Sequence, residues 1–455
     1  MTEAKTKSLK IMHVTPHLGG GVGRVLLNYL ARVHGGPNQH ELWCLDYANP
    51  QAKERAARES LVLRDSLGLD HIRLSAAARK ADIVVAHWWN HPLIWAWFMG
   101  GLIPPCRLLI WSHVSGLASP QVFTPALAAF PDIFAVSTPH SFTSPVWPNL
   151  PDADRAERLR LLFSCAGLEH VARAEPRPHQ GFRVGYLGTV DYVKMHPDFI
   201  SLCLAADLPE ASFLVAGGPK DRELAKEAEA LGEAGRFEFL GQISDIEQFL
   251  SSLDVFGYPL NPRHYGTGEQ CLIEAQAAGV PPVVLAGGAE EYVVEDGQTG
   301  LVAHGEADYS RCLERLYHDR DLRLTLSARA RTRARERFDI QSTVQGFEAL
   351  YAELMSRPKT PKTWPGNPAS GLSSLTPSEI FLNSQGPLGR FFAEAGPGRA
   401  DQHRTGELFS RLDIADRSET RGSVFHYLSF FPEDPGLKHW AGLLGGRESN
   451  VAAKT

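Results

Sequence analysis

Three segments of this sequence place charged or glycine-rich residues where they could act on a phosphorylated ligand. Gly19-Gly20-Gly21-Val22-Gly23-Arg24 follows an apolar strand pattern and opens a stretch with apolar residues at helical spacing. Backbone N–H groups and the helix dipole at such a point can face a phosphate. The loop is not a dinucleotide fingerprint, because Arg24 and Leu26 stand where its third glycine would fall. Four glycines in five positions followed by Arg24 still favour an anion over a bland tight turn. The second segment, Val184-Gly185-Tyr186-Leu187-Gly188-Thr189-Val190, leads to Lys194 and His196. In the third, Tyr258 to Pro281, a loop containing Gly266 and Gly268 enters a helix with Glu269 near its start and Glu274 inside it. A helix N-terminus there would hold a diphosphate, and the internal carboxylate would accept hydrogen bonds from ribose hydroxyls. The plainer alternative is a surface helix with two solvated carboxylates.

Other clusters are more ambiguous. From His87 to Trp97 four of the nine tryptophans fall within ten positions. They read equally as an aromatic platform for a sugar or lipid acceptor, as an interfacial docking surface, or as buried core. His87 and His91 have i, i+4 spacing, but Pro92 is adjacent and no third ligand is near, so both are expected to be structural. Asp152-Ala153-Asp154, in a Pro-flanked loop, and Asp319-Arg320-Asp321, on a charged helix, have the D-x-D shape of metal sites; no metal is expected at either.

The elements that must position these residues form two series. Strand patterns begin at Leu9 and recur at Glu41–Leu45, Ile83–Ala86, Leu108–Trp111 and Ile133–Val136, mostly with helical stretches between. After a polar, Pro-containing stretch at 172–180 they restart with FRVGYLGTV, SFLVAGG, FEFLG, VFGYPL and PPVVLA. The fold expected is α/β: two Rossmann-like domains, 1–172 and 177–356, facing a central cleft, each with a parallel sheet covered on both faces. Residues 307–356 are expected to be largely helical and to close the second domain, and 357–374 reads as a linker. In the extension 375–455, Thr376-Pro377-Ser378-Glu379 is a capping box, and the aromatic stretch Ser423–Leu444 should fold back or meet a second chain.

Composition narrows the class. The 455 residues are 43% hydrophobic and 22% charged, enough for sizeable cores. A net charge of −6 argues against a nucleic-acid binder. Residues 1–172 hold 16 Lys and Arg against 13 Asp and Glu, a slight basic excess that suits an anionic acceptor or a membrane surface but is more often plain solvated surface. The six cysteines are scattered without metal-ligand spacing, and no secretory signal or membrane-spanning run is evident, so a cytoplasmic protein with reduced thiols is expected.

Together these residues resemble the GT-B glycosyltransferases of the large retaining family often called family 4 or group 1, over roughly residues 9–356. The landmarks are Gly19 to Arg24, the strand-end Trp111-Ser112-His113, Gly188 to Lys194, and Glu274-Ala275 with Gly279-Val280-Pro281, which matches the E-A-x-A-x-G-x-P helix. The resemblance implies a nucleoside-diphosphate sugar as donor substrate, no cofactor and no metal, and a glycan or lipid-linked hydroxyl acceptor in cell-envelope or exopolysaccharide assembly. It further implies that Lys194 neutralises the diphosphate, Glu274 holds the ribose, His113 contacts the transferred sugar, and Gly20, Gly21 and Arg24 close over the phosphates. Two positions depart from the pattern: Thr189 replaces the Arg five residues before the Lys, and Gly266 replaces the first Glu of E-x7-E. Glu269 is the replacement carboxylate, with Gly268 and Thr189 counted among the donor-binding residues. A sugar-nucleotide epimerase of the same architecture and a non-catalytic glycan-binding relative are the rival readings. Peripheral membrane contact and self-association stay open.

Overall fold

The computed structural model describes residues 8–365 and 375–445. The chain divides into two compact units. The first comprises the chain up to Ser137, Ser141–Ser164 and everything from Thr343 onward; the second comprises Thr138–His140 and Cys165–Ser342.

Seven parallel strands build the first sheet: β1 (Lys10–Thr15), β2 (Gln39–Cys44), β3 (Val62–Arg64), β4 (Ile83–Trp88), β5 (Leu108–Ser112), β6 (Ile133–Val136) and β7 (Leu159–Leu161). They lie in the order β3-β2-β1-β4-β5-β6-β7. β4 and β5 are buried at every residue, which explains their unbroken apolar runs. The edge strands β3 and β7 have three residues each, too few to show a period in sequence. The second sheet has β8 (Phe182–Val190), β9 (Ala211–Pro219), β10 (Phe237–Gly241), β11 (Val255–Tyr258), β12 (Pro282–Leu285) and β13 (Leu301–Ala303), in the order β10-β9-β8-β11-β12-β13. Both units are therefore doubly wound α/β folds. Winding direction reverses between β1 and β4 in one sheet and between β8 and β11 in the other, and the loops leaving the carboxyl ends of such a pair diverge to leave a crevice.

Several boundaries differ from those read in the sequence. The helix Ile340–Met355 was expected to close the second domain, yet from Thr343 it belongs to the first unit. There the Phe347 ring lies 4.4 Å from that of Tyr29 and 5.1 Å, edge-on, from Trp111, and the Tyr351 and Tyr29 hydroxyls are 3.1 Å apart. An amphipathic pattern requires that a face be buried without specifying its partner. The second unit begins at Cys165, before the polar stretch at 172–180, because Cys165 Sγ bonds the Phe338 carbonyl and the Ala166 amide donates to Gln270 Oε1. The described part of the expected linker is strapped down: Thr360 bridges to Cys106, Lys362 pairs with buried Asp132 at 2.7 Å, and Trp364 is buried against Trp95. Residues 366–374 of that linker lie outside the described residues. Asp152 and Asp154 occupy the first turn of a helix (Asp152–Arg158), not a loop, and Asp152 pairs with Arg155.

The tryptophan-rich segment is core. Every residue of the helix Pro92–Met99 is buried, as are Trp88 and Trp89. Much of its cover comes from the extension, whose helices include Pro377–Ser384, Val424–Phe430 and Pro435–Leu443. Tyr427 donates to Asn90 Oδ1, Phe430 packs edge-on to His91, and Phe381, Phe392, Tyr427 and Trp440 form one ring cluster. The capping box at Thr376 and Glu379 is present, and the aromatic stretch folds back onto the body of its own unit. All six cysteines are free thiols, and no described helix is long and apolar enough to cross a membrane.

Because Phe347 is fully buried between Tyr29 and Trp111, Phe347→Ala should destabilise the first unit by about 3–5 kcal/mol. Urea unfolding followed by tryptophan fluorescence measures this; a loss under about 1 kcal/mol would show that the helix contributes little to that core.

Candidate functional site

In the second unit the crevice between β8 and β11 collects the charged residues singled out in the sequence. Lys194 sits in the turn after β8, with its amide donating to the Asp191 carbonyl at 2.8 Å. This turn is stitched to the loop after β11: the Asn261 amide donates to the Lys194 carbonyl, the His196 amide donates to the Pro259 carbonyl, and Met195 bridges Leu260. Two loops from opposite sides of the winding reversal thus act as one rigid support.

That support brings Lys194 Nζ within 3.0 Å of Glu269, whose carboxylate also accepts from the Tyr258 hydroxyl at 2.8 Å. The Glu269 side chain is 1% exposed and that of Lys194 15%. Burial opposes both charges, but each offsets the other's cost: Glu269 stays below the usual carboxylate range, through Lys194 and then His264, and Lys194 stays above the ordinary lysine value, through Glu269. Glu269 is the residue just before the helix Gln270–Ala277 and has a left-handed backbone, φ 30°. That unusual φ turns its side chain back toward Gly266. A Cβ placed on Gly266 would lie 1.9 Å from Glu269 Oε1 and 2.8 Å from His264 Nδ1. The carboxylate of Glu269 therefore fills the space in which a side chain at position 266 would begin.

His264 and Glu290 complete the cluster. Both are buried, and His264 Nε2 lies 3.0 Å from Glu290 Oε1. Burial works against a charged imidazole, but Glu290 prevails and raises the pKa of His264 above its ordinary value. His264, Glu269 and Glu290 could each turn one ligand atom toward a common point, these atoms lying within 4.8 Å of one another. Lys194 is already paired with Glu269 and His264 with Glu290, so a cation entering there would have to displace Lys194.

Glu274 lies one turn into the helix Gln270–Ala277, is 1% exposed, and has Oε1 3.0 Å from His170 Nε2. It is thus separate from the Lys194–Glu269 pair. Thr189 is half-buried near the end of β8, where its carbonyl accepts from the Tyr186 hydroxyl, and the Gly268 carbonyl accepts from Gln270 Nε2. Sequence reading offered His264 only as a stand-in for the cation missing at Thr189, and it missed Tyr258, Glu290 and His170 as partners. Tyr258 and His264 stood inside the segment quoted, whereas Glu290 and His170 reach it only through the fold.

In the first unit the helix Gly20–Val33 starts in the loop after β1, with Gly19 as a cap that supplies no side-chain acceptor. Gly20 has φ 59°, which favours glycine, and a Cβ on Gly20 or Gly21 would meet nothing within 4 Å, so open space lies over the bare amides. Arg24 is half-buried in the second turn. His113 follows β5 directly, its amide donating to the Trp88 carbonyl and its ring 4.4 Å from that of Trp111. Nε2 of His113 lies 2.9 Å from His87 Nδ1.

Residues 170–333 match the family model described as glycosyl transferases group 1. The D-inositol 3-phosphate glycosyltransferase of Salinispora arenicola is 30% identical over 196 residues, 39% of this chain and 43% of that protein. The lipopolysaccharide core biosynthesis glycosyltransferase LpsE of Rhizobium meliloti is 29% identical over 150 residues, 32% of this chain and 43% of its own length. The chain thus spans less than half the length of these curated relatives. Among solved structures, the HepE protein of Anabaena in complex with UDP and glucose superposes with a TM-score of 0.63 at 17% identity, covering 76% of this chain and 99% of that one. A glycosyltransferase of Rickettsia africae gives a TM-score of 0.64 at 11% identity, covering 77% and 100%. Over residues 170–333 the chain is thus similar to the group 1 glycosyl transferases, and it shares the two-domain GT-B fold of these solved structures.

Proposed function

We propose that the chain is a retaining glycosyltransferase that moves a sugar from a nucleoside-diphosphate sugar to a hydroxyl of a glycan or lipid-linked acceptor. The observation that carries this reading is the buried Lys194–Glu269–Tyr258 cluster at the strand-order reversal of the second sheet, inside the stretch that matches the family. Departure of a nucleoside diphosphate builds negative charge. An ammonium has three donors, so Lys194 can keep one on Glu269 and turn the others to phosphate oxygens. Glu269, an acceptor-only group when ionised, is suited to sugar hydroxyls, and Glu274 to a ribose, with His170 moving aside or sharing it. Gly20, Gly21 and Arg24 offer free amides and a guanidinium to phosphate, and His113 offers a ring nitrogen to the transferred sugar. Thr189 and Gly268 complete the donor-binding set. Without a metal, the acceptor proton would pass to a donor phosphate oxygen as the leaving group departs. The solved neighbour with bound UDP and glucose supports a nucleotide-sugar donor, and the curated relatives support an acceptor in envelope glycan or polyol glycosylation.

The space at Gly266 explains how this chain departs from E-x7-E without losing the carboxylate. Glu269, three residues later and with a left-handed backbone, puts its carboxylate where a side chain at 266 would begin. The Gly266→Glu, Glu269→Gly double variant should then retain turnover, whereas Glu269→Gly alone loses it; glycine is at ease at the positive φ of position 269. Equal loss in both proteins would separate the two positions and refute the relocation.

Binding and turnover test the main proposal. One of UDP, GDP, ADP or their sugar conjugates should raise the melting temperature. With that donor, Lys194→Ala should lower kcat roughly a hundredfold or more. No shift with any nucleotide, together with near-normal activity of the variant, would overturn the assignment.

His264 gives a pH signature. Its pKa in the folded chain is raised, so the stability supplied by its pair with Glu290 is complete below the ordinary histidine value near 6.5 and is lost as pH rises through the raised one. As pH rises above about 6.5 the wild type should lose melting temperature relative to Glu290→Gln. Parallel pH curves for the two proteins would show that the pair contributes no linkage.

A further inference from the structure

Four histidines of the first unit stand in a row across its sheet, one from each of four neighbouring strands. His40 comes from β2, His13 from β1, His87 from β4, and His113 from the residue after β5, the spatial order of those strands. The contacts run head to tail. His40 Nδ1 lies 3.0 Å from His13 Nε2, His13 Nδ1 lies 3.1 Å from His87 Nε2, and His87 Nδ1 lies 2.9 Å from His113 Nε2. Successive rings are stacked, with centroids 5.2 to 5.4 Å apart. His13 and His87 are wholly buried, while His40 and His113 at the two ends are only partly so. Tyr29 and Phe347 flank His13, and Trp111 flanks His87 and His113; among the described residues no carboxylate or cation is hydrogen-bonded or ion-paired to any of the four rings.

A neutral imidazole has one N–H donor and one bare acceptor nitrogen. In a row joined Nδ1 to Nε2 at every step, each junction holds one proton, so the tautomer of one ring dictates that of the next. Only two arrangements satisfy all three junctions. In one, every ring carries its proton on Nδ1, and His113 presents an N–H outward. In the other, every ring carries it on Nε2, and His113 presents a bare nitrogen. Burial lowers the pKa of each of the four rings, to about 4 for His40 and about 3 for His113, which keeps the row neutral and the rule in force.

We infer that His40, His13 and His87 form a proton relay with His113 and act as positioning residues that set whether its outer nitrogen, Nδ1, donates or accepts a hydrogen bond. Conversion between the two arrangements is balanced: one proton binds Nε2 of His40, each ring passes its Nδ1 proton along to the next Nε2, and one proton leaves Nδ1 of His113, with no net change of charge. The consequence for transfer rests on the reading of His113 as the sugar contact; the relay itself does not. A sugar hydroxyl meeting His113 would therefore find a donor or an acceptor according to the state of a ring three junctions away.

The test is long-range 1H–15N correlation spectroscopy of the full chain with 15N-labelled histidine, without nucleotide, so that it is independent of the transferase assignment. In the wild type all four rings should share one tautomer. In His40→Asp the ionised carboxylate can only accept, which requires the proton of His13 on Nε2 and carries the same tautomer through His87 to His113. His40→Asn, which can donate or accept, controls for the change of size and should again show one common tautomer. Two rings of the row in opposite tautomers in the wild type would overturn the relay. A switch of His13 that leaves His113 behind in His40→Asp would do so as well, and if a variant fails to fold the wild-type spectrum alone decides.

Discussion

Lys194 and Glu269 hold each other out of water, and the arrangement of the second unit follows from the need to keep them together. Neither charge is tolerable there alone: removing one partner of a buried pair costs about 3–5 kcal/mol, because the other charge is left without compensation. The pair is possible only because two loops, one leaving β8 and one leaving β11, are tied through Lys194, Met195 and His196 on one side and Pro259, Leu260 and Asn261 on the other. Those loops meet because the strands they leave are the neighbours at which the winding turns around. The cluster is thus local chemistry imposed by sheet topology.

The left-handed residue at 269 follows from the same requirement. A glutamate at φ 30° is conformationally costly and persists where its surroundings over-determine it. Here Lys194 and Tyr258 both bind the carboxylate, and Gly266 leaves it room. Strain at the backbone is offset by a paired charge in a site where charge is useful. Gly266 and Glu269 are therefore one feature: a side chain at 266 would remove the space that the carboxylate occupies.

Much of this was legible in the sequence because parallel sheets write themselves plainly. Buried β4 and β5 have continuous apolar runs, and Lys194, Glu269 and Glu274 stood out in glycine-punctuated segments. What could not be read is which distant groups meet. The partner of Glu274 is His170, 104 residues away, and the pairing of His264 with Glu290 has no local signature. The helix from Thr343 has an apolar face that any core could accept, and only Tyr29 and Trp111 decide which one does. Likewise the sequence singles out His87 and His113 but not their row with His13 and His40, because a row across a sheet takes one residue per strand and leaves no spacing to notice.

The extension changes what the first unit can offer a ligand. A helix with three aromatic residues and no charge, Pro92–Met99, would be a natural greasy platform if bare. Here Tyr427 and Phe430 cover its entrance at Asn90 and His91, and Gln121 reaches across to the Arg421 carbonyl, tying the extension down by hydrogen bonds as well as apolar contact. Burying these rings removes an exposed apolar patch that would otherwise favour association or adsorption to lipid. It also holds Asn90, two residues beyond β4, the strand that carries His87, the inner neighbour of His113. The extension, remote in sequence, thus ties down the loop that leaves the strand of His87, through a hydrogen bond between Tyr427 and Asn90 that spans 337 positions of the chain.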